Sequence, residues 1–354
     1  MRIAVVAVLG TTLASGCAAG LMGGREWRSA TPEAQRLDAS RLRALVGRME
    51  RGTYGEMSSL LIVRHGRLVV ERYFRGAGPD DPQPLQSVTK SVTSVLVGIA
   101  MDQGRIPRLD APVADFLPNC ADLVSADPRK GAIVLEHLLT MTSGLAWIES
   151  APPLPWPGQP ADWLRVVLQQ PVVDEPGTRF SYSSGSVLLL SGVLQRLTGR
   201  RTEDLAVRAL FRPLDFGAHD WPALEGDLTP TGSGLALRPR DLAKIGQLYL
   251  DGGVYRGRRI VSEAWVRRST AAHATLPDGT RYGYLWWLLP ATPLAGDSLL
   301  RSVFYAGGAG DQYLFVVPAA DVVVVVTGQN YERHFVRPLA FLTAEILPAI
   351  SDGR

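Results

Sequence analysis

The chain has 354 residues, 46% hydrophobic and 20% charged, long enough for one large or two medium domains and too apolar for disorder over most of its length. Its formal net charge of +3 is not gathered into any basic block, which argues against nucleic acid as a partner. With only two cysteines, Cys17 and Cys120, a disulfide framework is excluded.

Residues 1–24 read as an export signal. Arg2 supplies one positive charge, an apolar run follows from Ile3 to Leu9, and small residues surround Cys17. The run is too short to span a membrane. "ASGC" resembles a bacterial lipoprotein processing site with Cys17 as the lipidated residue. It departs from the commonest form because Leu13 stands one place early and Ala14 takes its position. Lipidation of Cys17 and ordinary cleavage after Ala19 both stay open. Either places the protein in the periplasm or cell envelope, with a membrane reached only through that anchor. Cys120 is then alone and reads as a buried thiol.

Residues 31–51 read as largely helical, with Ser40 as a candidate cap. "SSLLIVRHGRLVVERYF" gives two β-rich runs turning at His65-Gly66-Arg67. "LQSVTKSVTSVLVGIAMDQG" follows as a helix stopped by Gly104. From about 105 to 230 helices and Pro-rich loops dominate, "VLEHLLTMTSGL" and "SVLLLSGVLQRLTG" being the clearest helical pieces. "RDLAKIGQLYLDGG" and "VSEAWVRRST" are further helices. Four strand-like runs come next: "YGYLWWLL", "SVFYAGGAG", "DQYLFVVP" and "DVVVVVTG". A last helix is expected from about Phe335 to Leu347, with Pro338 tolerable only in its first turn. Strands at both ends with helices between predict an α+β fold, an antiparallel sheet built from both chain ends and flanked by helices, with an inserted all-helical domain. The expected division is 25–104 and 233–354 for the two parts of the α/β domain and 105–232 for the helical one.

Chemistry enters at Ser87 and Lys90. Of 37 basic residues only Lys90, Lys130 and Lys244 are lysine, so a lysine three places after a serine stands out. On a helix that spacing puts both side chains on one face. A serine hydroxyl is a poor nucleophile until a neighbouring base takes its proton. Lysine can be that base when desolvated; arginine cannot, because it stays protonated in proteins. "EPGTRFSYSSGSVLLLSGVLQRLTG" adds Tyr182 on a Gly/Ser-rich turn before a helix, with Ser184 two residues on. Tyr182 is either a general acid–base group or a buried aromatic whose hydroxyl bonds to backbone.

The stretches "QSVTKS", "EHLLTMTSGLAW", "EPGTRFSYSSG", "RPRDLAKIGQLYLDGG", "YGYLWWL" and "YAGGAGDQYLFVVP" occur in the order they take in the serine β-lactamase and penicillin-binding-protein superfamily. Across roughly residues 55–330 the chain resembles the branch holding class C β-lactamases, related esterases and 6-aminohexanoate-dimer hydrolases. The resemblance implies a β-lactamase/transpeptidase-like fold, Ser87 as the acyl-accepting nucleophile and Lys90 as its S-x-x-K partner. It implies Tyr182 as the tyrosine of a Y-x-N motif whose Asn position holds Ser184. The third motif, often K-T-G, falls on Ala306-Gly307-Gly308. The N–H of the next residue, Ala309, would form an oxyanion hole with that of Ser87, each donor being worth about 3 kcal/mol. Gly307 and Gly308 leave room for substrate beside the strand. Alanine at 306 cannot hold a substrate carboxylate as the motif's lysine does, which points away from penicillin and towards neutral esters or amides.

The expectation is therefore an exported serine hydrolase acting on a small-molecule ester or amide through an acyl-enzyme, needing no metal and no organic cofactor. A β-lactamase or D,D-peptidase, and a silent envelope binding protein that keeps the fold, are the alternatives. His65, His137, His219, His273 and His334 show no metal-ligand spacing, and His137 lies in a packing signature. No G-x-S-x-G is present, which argues against an α/β-hydrolase triad. "GGAGDQ" lies between two strand-like runs, unlike a phosphate loop. The Pro-rich stretch with Trp147, Trp156 and Trp163 reads as a packed loop or as a rim over the acyl-binding cleft.

Overall fold

The computed structural model describes residues 27–149, 162–290 and 298–351. Cys17, the expected export signal and Trp156 lie outside them.

Helix α1 (Ala39–Glu50) is the first α-helix among the described residues. Its cap is Asp38, whose carboxylate accepts from the N–H groups of Ser40 and Arg41. Ser40, expected in that role, instead donates its hydroxyl to Asp38 at 2.7 Å. Two places earlier the backbone is extended, as a cap requires, and an ionised acceptor complements the helix dipole better than a hydroxyl. Strands β1 (Met57–Arg64) and β2 (Arg67–Tyr73) form the hairpin about His65 and Gly66, both with positive φ. Helix α2 runs Val88–Asp102.

Between α2 and residue 238 the described chain holds helices and loops, but it is not all-helical as expected, since His219–Asp220 pairs as a short strand with Ala236–Leu237. It includes α3 (Leu135–Leu139), α4 (Trp163–Gln169) and α5 (Ser184–Thr198), the last ended by Gly199 at φ +65. The "VLEHLLTMTSGL" helix is shorter than its pattern predicts, because Met141 takes φ +59 and turns the chain. Helices α6 (Pro239–Leu250) and α7 (Glu263–Ser269) follow. "YGYLWWLL" is not one strand. It gives only Tyr282 of β4 (Arg281–Tyr282) and the two residues of β5 (Trp287–Leu288), after the short β3 (Ala274–Thr275). Leu285 at φ +61 breaks the run between them, its N–H donating to the Leu139 carbonyl at 3.0 Å. Then come β6 (Phe304–Gly308), β7 (Gln312–Val317) and β8 (Val322–Gly328). The final helical segment starts at Pro338, not Phe335, since proline's fixed φ suits the first helical position.

These strands form an antiparallel sheet, eight-stranded among the described residues, in the order β2-β1-β8-β7-β6-β5-β4-β3. Both of its faces are covered, so its central strands are apolar without alternation. Along β8, Val323 and Val325 face the core shared with α2, α5 and α6. Val322, Val324 and Val326 face the core shared with α1 and the C-terminal helical turns. Helix α2 is not amphipathic in the structure: every residue from Val88 to Ala100 is buried. Two of its polar members reach outside the helix for partners, Ser91 donating to the Leu285 carbonyl at 2.6 Å and Thr93 to the Thr231 carbonyl at 2.9 Å. Gly98 lets Trp265 of α7 lie against the helix, within 2.5 Å of where a Cβ would stand. Among the described residues no helix is long and apolar enough to cross a membrane.

Candidate active site

The site lies where α2 begins. Gln86 takes φ +49, a conformation that costs a non-glycine residue roughly 1–2 kcal/mol. The bend hands the chain from Leu85, whose N–H donates to the Leu235 carbonyl at 2.9 Å, into the first turn of α2. Ser87 is thereby half-buried at the head of a helix whose body is fixed in the core.

One turn on, Lys90 is 1% exposed. Its Nζ lies 2.9 Å from Ser87 Oγ, 2.8 Å from Ser184 Oγ and 2.8 Å from the Gly232 carbonyl oxygen. It also lies over the Tyr182 ring, 4.8 Å from the centroid. Burial of an amine is tolerable only with such a set of polar neighbours. The Tyr182 turn is fastened to the segment after α3: Ser181 N–H donates to the Met141 carbonyl at 2.7 Å, and Ser143 and Ser186 hydroxyls meet at 2.8 Å. The Tyr182 ring stacks on Trp287 at 5.6 Å and meets Tyr282 edge-on at 6.5 Å. Tyr282 is a different kind of phenol. Burial pushes its pKa well above the ordinary value, with Tyr182 and Glu149 adding to the effect, so it stays protonated.

Strand β6 passes close by Ser87. A Cβ on Gly308 would stand 2.5 Å from the Leu85 carbonyl oxygen and 3.0 Å from Ser87 N, so only glycine permits the approach. Ala309, the next residue, is exposed at the following turn. Ala306 is fully buried in the core beneath the strand.

Ser87, Lys90, Tyr182 and Ser184 are thus brought together, with Gly308 alongside. Two further groups at this point were not among the residues singled out in the sequence. The first is the Gly232 carbonyl; a backbone oxygen leaves no letter to read. The second is Glu149. Its carboxylate accepts from the Ser184 hydroxyl at 2.9 Å and also from the Ser184 N–H. Its position, two residues after the Trp147 that closes the "EHLLTMTSGLAW" stretch, was the available signal. Trp147 packs where Gly185 has no side chain, 2.5 Å from where a Cβ would stand, which sets the following residues over the head of α5. Trp163, considered for the cleft rim, is instead buried at 3% exposure in the core on α4. His137 is structural: its Nδ1 accepts from Val134 N–H at 3.3 Å, and burial holds its pKa below the ordinary value.

A serine at the head of a buried helix beside an antiparallel sheet, with a lysine one turn on, is the arrangement of a β-lactamase-type serine hydrolase. Residues 43–346 match the Beta-lactamase family, and the chain belongs to it. It is 29% identical over 318 residues to the 6-aminohexanoate-dimer hydrolase of Paenarthrobacter ureafaciens, covering 82% of this chain and 76% of that one. It is 27% identical over 279 residues to penicillin-binding protein 4 of Amycolatopsis lactamdurans, covering 68% and 70%. The octameric penicillin-binding protein homologue of Pyrococcus abyssi shares the fold at TM-score 0.67, with 19% identity over 86% of this chain and 77% of that chain. The protein is accordingly a serine hydrolase of this superfamily.

Proposed function

We propose that the protein is an exported hydrolase of neutral esters or amides that works through an acyl-enzyme on Ser87. The single observation carrying this reading is the contact set of Lys90, whose Nζ meets Ser87 Oγ, Ser184 Oγ and the Gly232 carbonyl within 2.9 Å. In the proposed cycle the neutral Lys90 amine, with Tyr182 beside it, accepts the Ser87 proton as Oγ bonds to the substrate carbonyl carbon. The Ser87 and Ala309 N–H groups hold the developing oxyanion. Collapse breaks the bond to the alcohol or amine, which leaves with a proton delivered through Tyr182. Water then attacks the acyl-enzyme, giving its proton to the same pair, and releases the carboxylic acid and Ser87.

The substrate class rests on Ala306. A methyl group buried beneath β6 offers no charge to a carboxylate, unlike the lysine of the K-T-G pattern. The 6-aminohexanoate-dimer hydrolase relative supports amides among the substrates. Export rests on the charge, apolar run and small residues of positions 1–24.

The test is intact-mass spectrometry after treatment with a fluorophosphonate, beside Ser87→Ala, followed by a panel of p-nitrophenyl esters and anilides with nitrocefin. One adduct on the wild type, none on Ser87→Ala, and turnover of esters or anilides in preference to nitrocefin are expected. No adduct on wild type and no ester or anilide turnover refutes the reading. Nitrocefin as the preferred substrate moves the function to β-lactam hydrolysis.

A further inference from the structure

We propose that Glu149 is a positioning residue for the nucleophile's base, acting through Ser184; this rests on the acyl-enzyme reading above. A neutral lysine amine has two N–H donors and one lone pair. To take the Ser87 proton, the lone pair must face Ser87 Oγ, so both hydrogens must point at the other two neighbours. The Gly232 carbonyl, 2.8 Å away, can only accept. Ser184 Oγ, also 2.8 Å away, is ambiguous, because a hydroxyl can donate as readily as accept. A Ser184 hydroxyl that donated to Lys90 would occupy the lone pair that Ser87 needs. Its hydrogen must therefore be engaged elsewhere.

Glu149 is where it goes. An ionised carboxylate only accepts, and its Oε2 lies 2.9 Å from Ser184 Oγ while its Oε1 takes the Ser184 N–H. Both bonds fall on the first residue of α5, where the unpaired N–H groups and the dipole of a 15-residue helix favour a negative charge. Ser184 is left with only lone pairs to offer Lys90. The chain of bonds then runs one way, with the Ser87 hydroxyl donating to Lys90, Lys90 to Ser184, and Ser184 to Glu149. An asparagine at position 184 would present an amide oxygen, which accepts without help. Serine there needs the carboxylate. In the tetrahedral intermediate, before that proton passes through Tyr182 to the leaving group, the same chain holds the Lys90 ammonium, which donates to Ser87 Oγ, Ser184 Oγ and the Gly232 carbonyl.

The experiment uses the full chain and measures kcat and KM for a p-nitrophenyl ester, the fluorophosphonate labelling rate and Tm. Glutamine at 149 keeps the size but supplies one acceptor where Ser184 presents two donors. Glu149→Gln is expected to lower kcat about tenfold or more with KM nearly unchanged, as for loss of an interaction used in the transition state. Labelling should slow in parallel, and Tm should hold because Glu149 is exposed. Ser184→Ala should cause a comparable loss, and the double variant should be no worse than the poorer single one, since the two residues act in series. Ser184→Asn placed in the Glu149→Gln background should recover most of the lost kcat, a rescue that a merely structural carboxylate would not permit. Wild-type kcat in Glu149→Gln, or losses that multiply in the double variant, overturns the proposal. Turnover retained by Ser87→Ala overturns the acyl-enzyme reading and this proposal with it. Ser87→Ala inactive with Glu149→Gln unimpaired overturns the Glu149 role alone.

Discussion

Replacing Gly308 by alanine probes how closely β6 must approach Ser87, the proposed nucleophile. The added Cβ would stand 2.5 Å from the Leu85 carbonyl oxygen and 3.0 Å from Ser87 N, where ordinary contact begins near 3.4 Å. Both neighbours are backbone, so no side chain can swing aside. The strand and the nucleophile turn must part by roughly 0.9 Å, the shortfall at Leu85. On the site proposed above, that movement draws the Ala309 N–H away from the oxyanion while Ser87 stays with α2. A displacement near 1 Å costs about 100-fold in rate. The overpacking itself costs about 1–3 kcal/mol, a lowering of Tm by roughly 1–4 °C in a chain of this length. Steady-state kinetics on a p-nitrophenyl ester, with Tm measured in parallel, reads both numbers. A Gly308→Ala protein with both wild-type kcat/KM and wild-type Tm would refute the close approach. A protein with lowered Tm and full turnover would show that Ala309 is not an oxyanion donor.

Other substitutions test the proton path. Lys90→Arg keeps the charge but removes any group able to deprotonate, so turnover should fall at least about 1000-fold; near-normal kcat would exclude Lys90 as base. Tyr182→Phe keeps the stack on Trp287, so Tm should hold while kcat falls about 100-fold or more; unchanged kcat would assign the proton transfers to Lys90 alone. Benzylpenicillin should leave the mass of the protein unchanged under conditions where the fluorophosphonate adds once, because Ala306 offers no cation to its carboxylate. Stability should also depend on pH through His137. Burial lowers its folded pKa below the ordinary 6.5, so the unfolded chain binds the proton more readily. The stabilising contribution is complete above about 6.5 and is lost as pH falls through the lowered value. Tm should drop from pH 7.5 to 5.5 in the wild type and drop less in His137→Asn; equal drops would remove His137 as the cause.

The local parts of the fold were legible in the chain. The β1–β2 hairpin, the glycine stop of α5 and the long valine run of β8 follow from turn chemistry and apolar patterning that act over a few residues. Where a distant contact intervened, the pattern misled. "YGYLWWLL" has the composition of one strand, but Leu285 turns at φ +61 to donate its N–H to Leu139, splitting it in two. Similarly α2 carries Thr89, Ser91, Thr93 and Ser94, polar residues that suit a helix surface, yet all four are buried.

The sequence by itself determined the Ser87–Lys90 pair on which the proposed chemistry rests. Ser87 and Lys90 meet because three residues on a helix bring side chains to one face, a fact of local geometry that needs nothing else to fold. Tertiary structure alone decided what surrounds them. Ser184 and Gly232 reach Lys90 across 94 and 142 residues of chain, and Glu149 reaches Ser184 across 35. Those contacts depend on how α5, the 230s loop and the segment after α3 pack against α2. The direction of the hydrogen bonds at Lys90 is a property of that packing, because it is fixed by acceptors that no local pattern brings together.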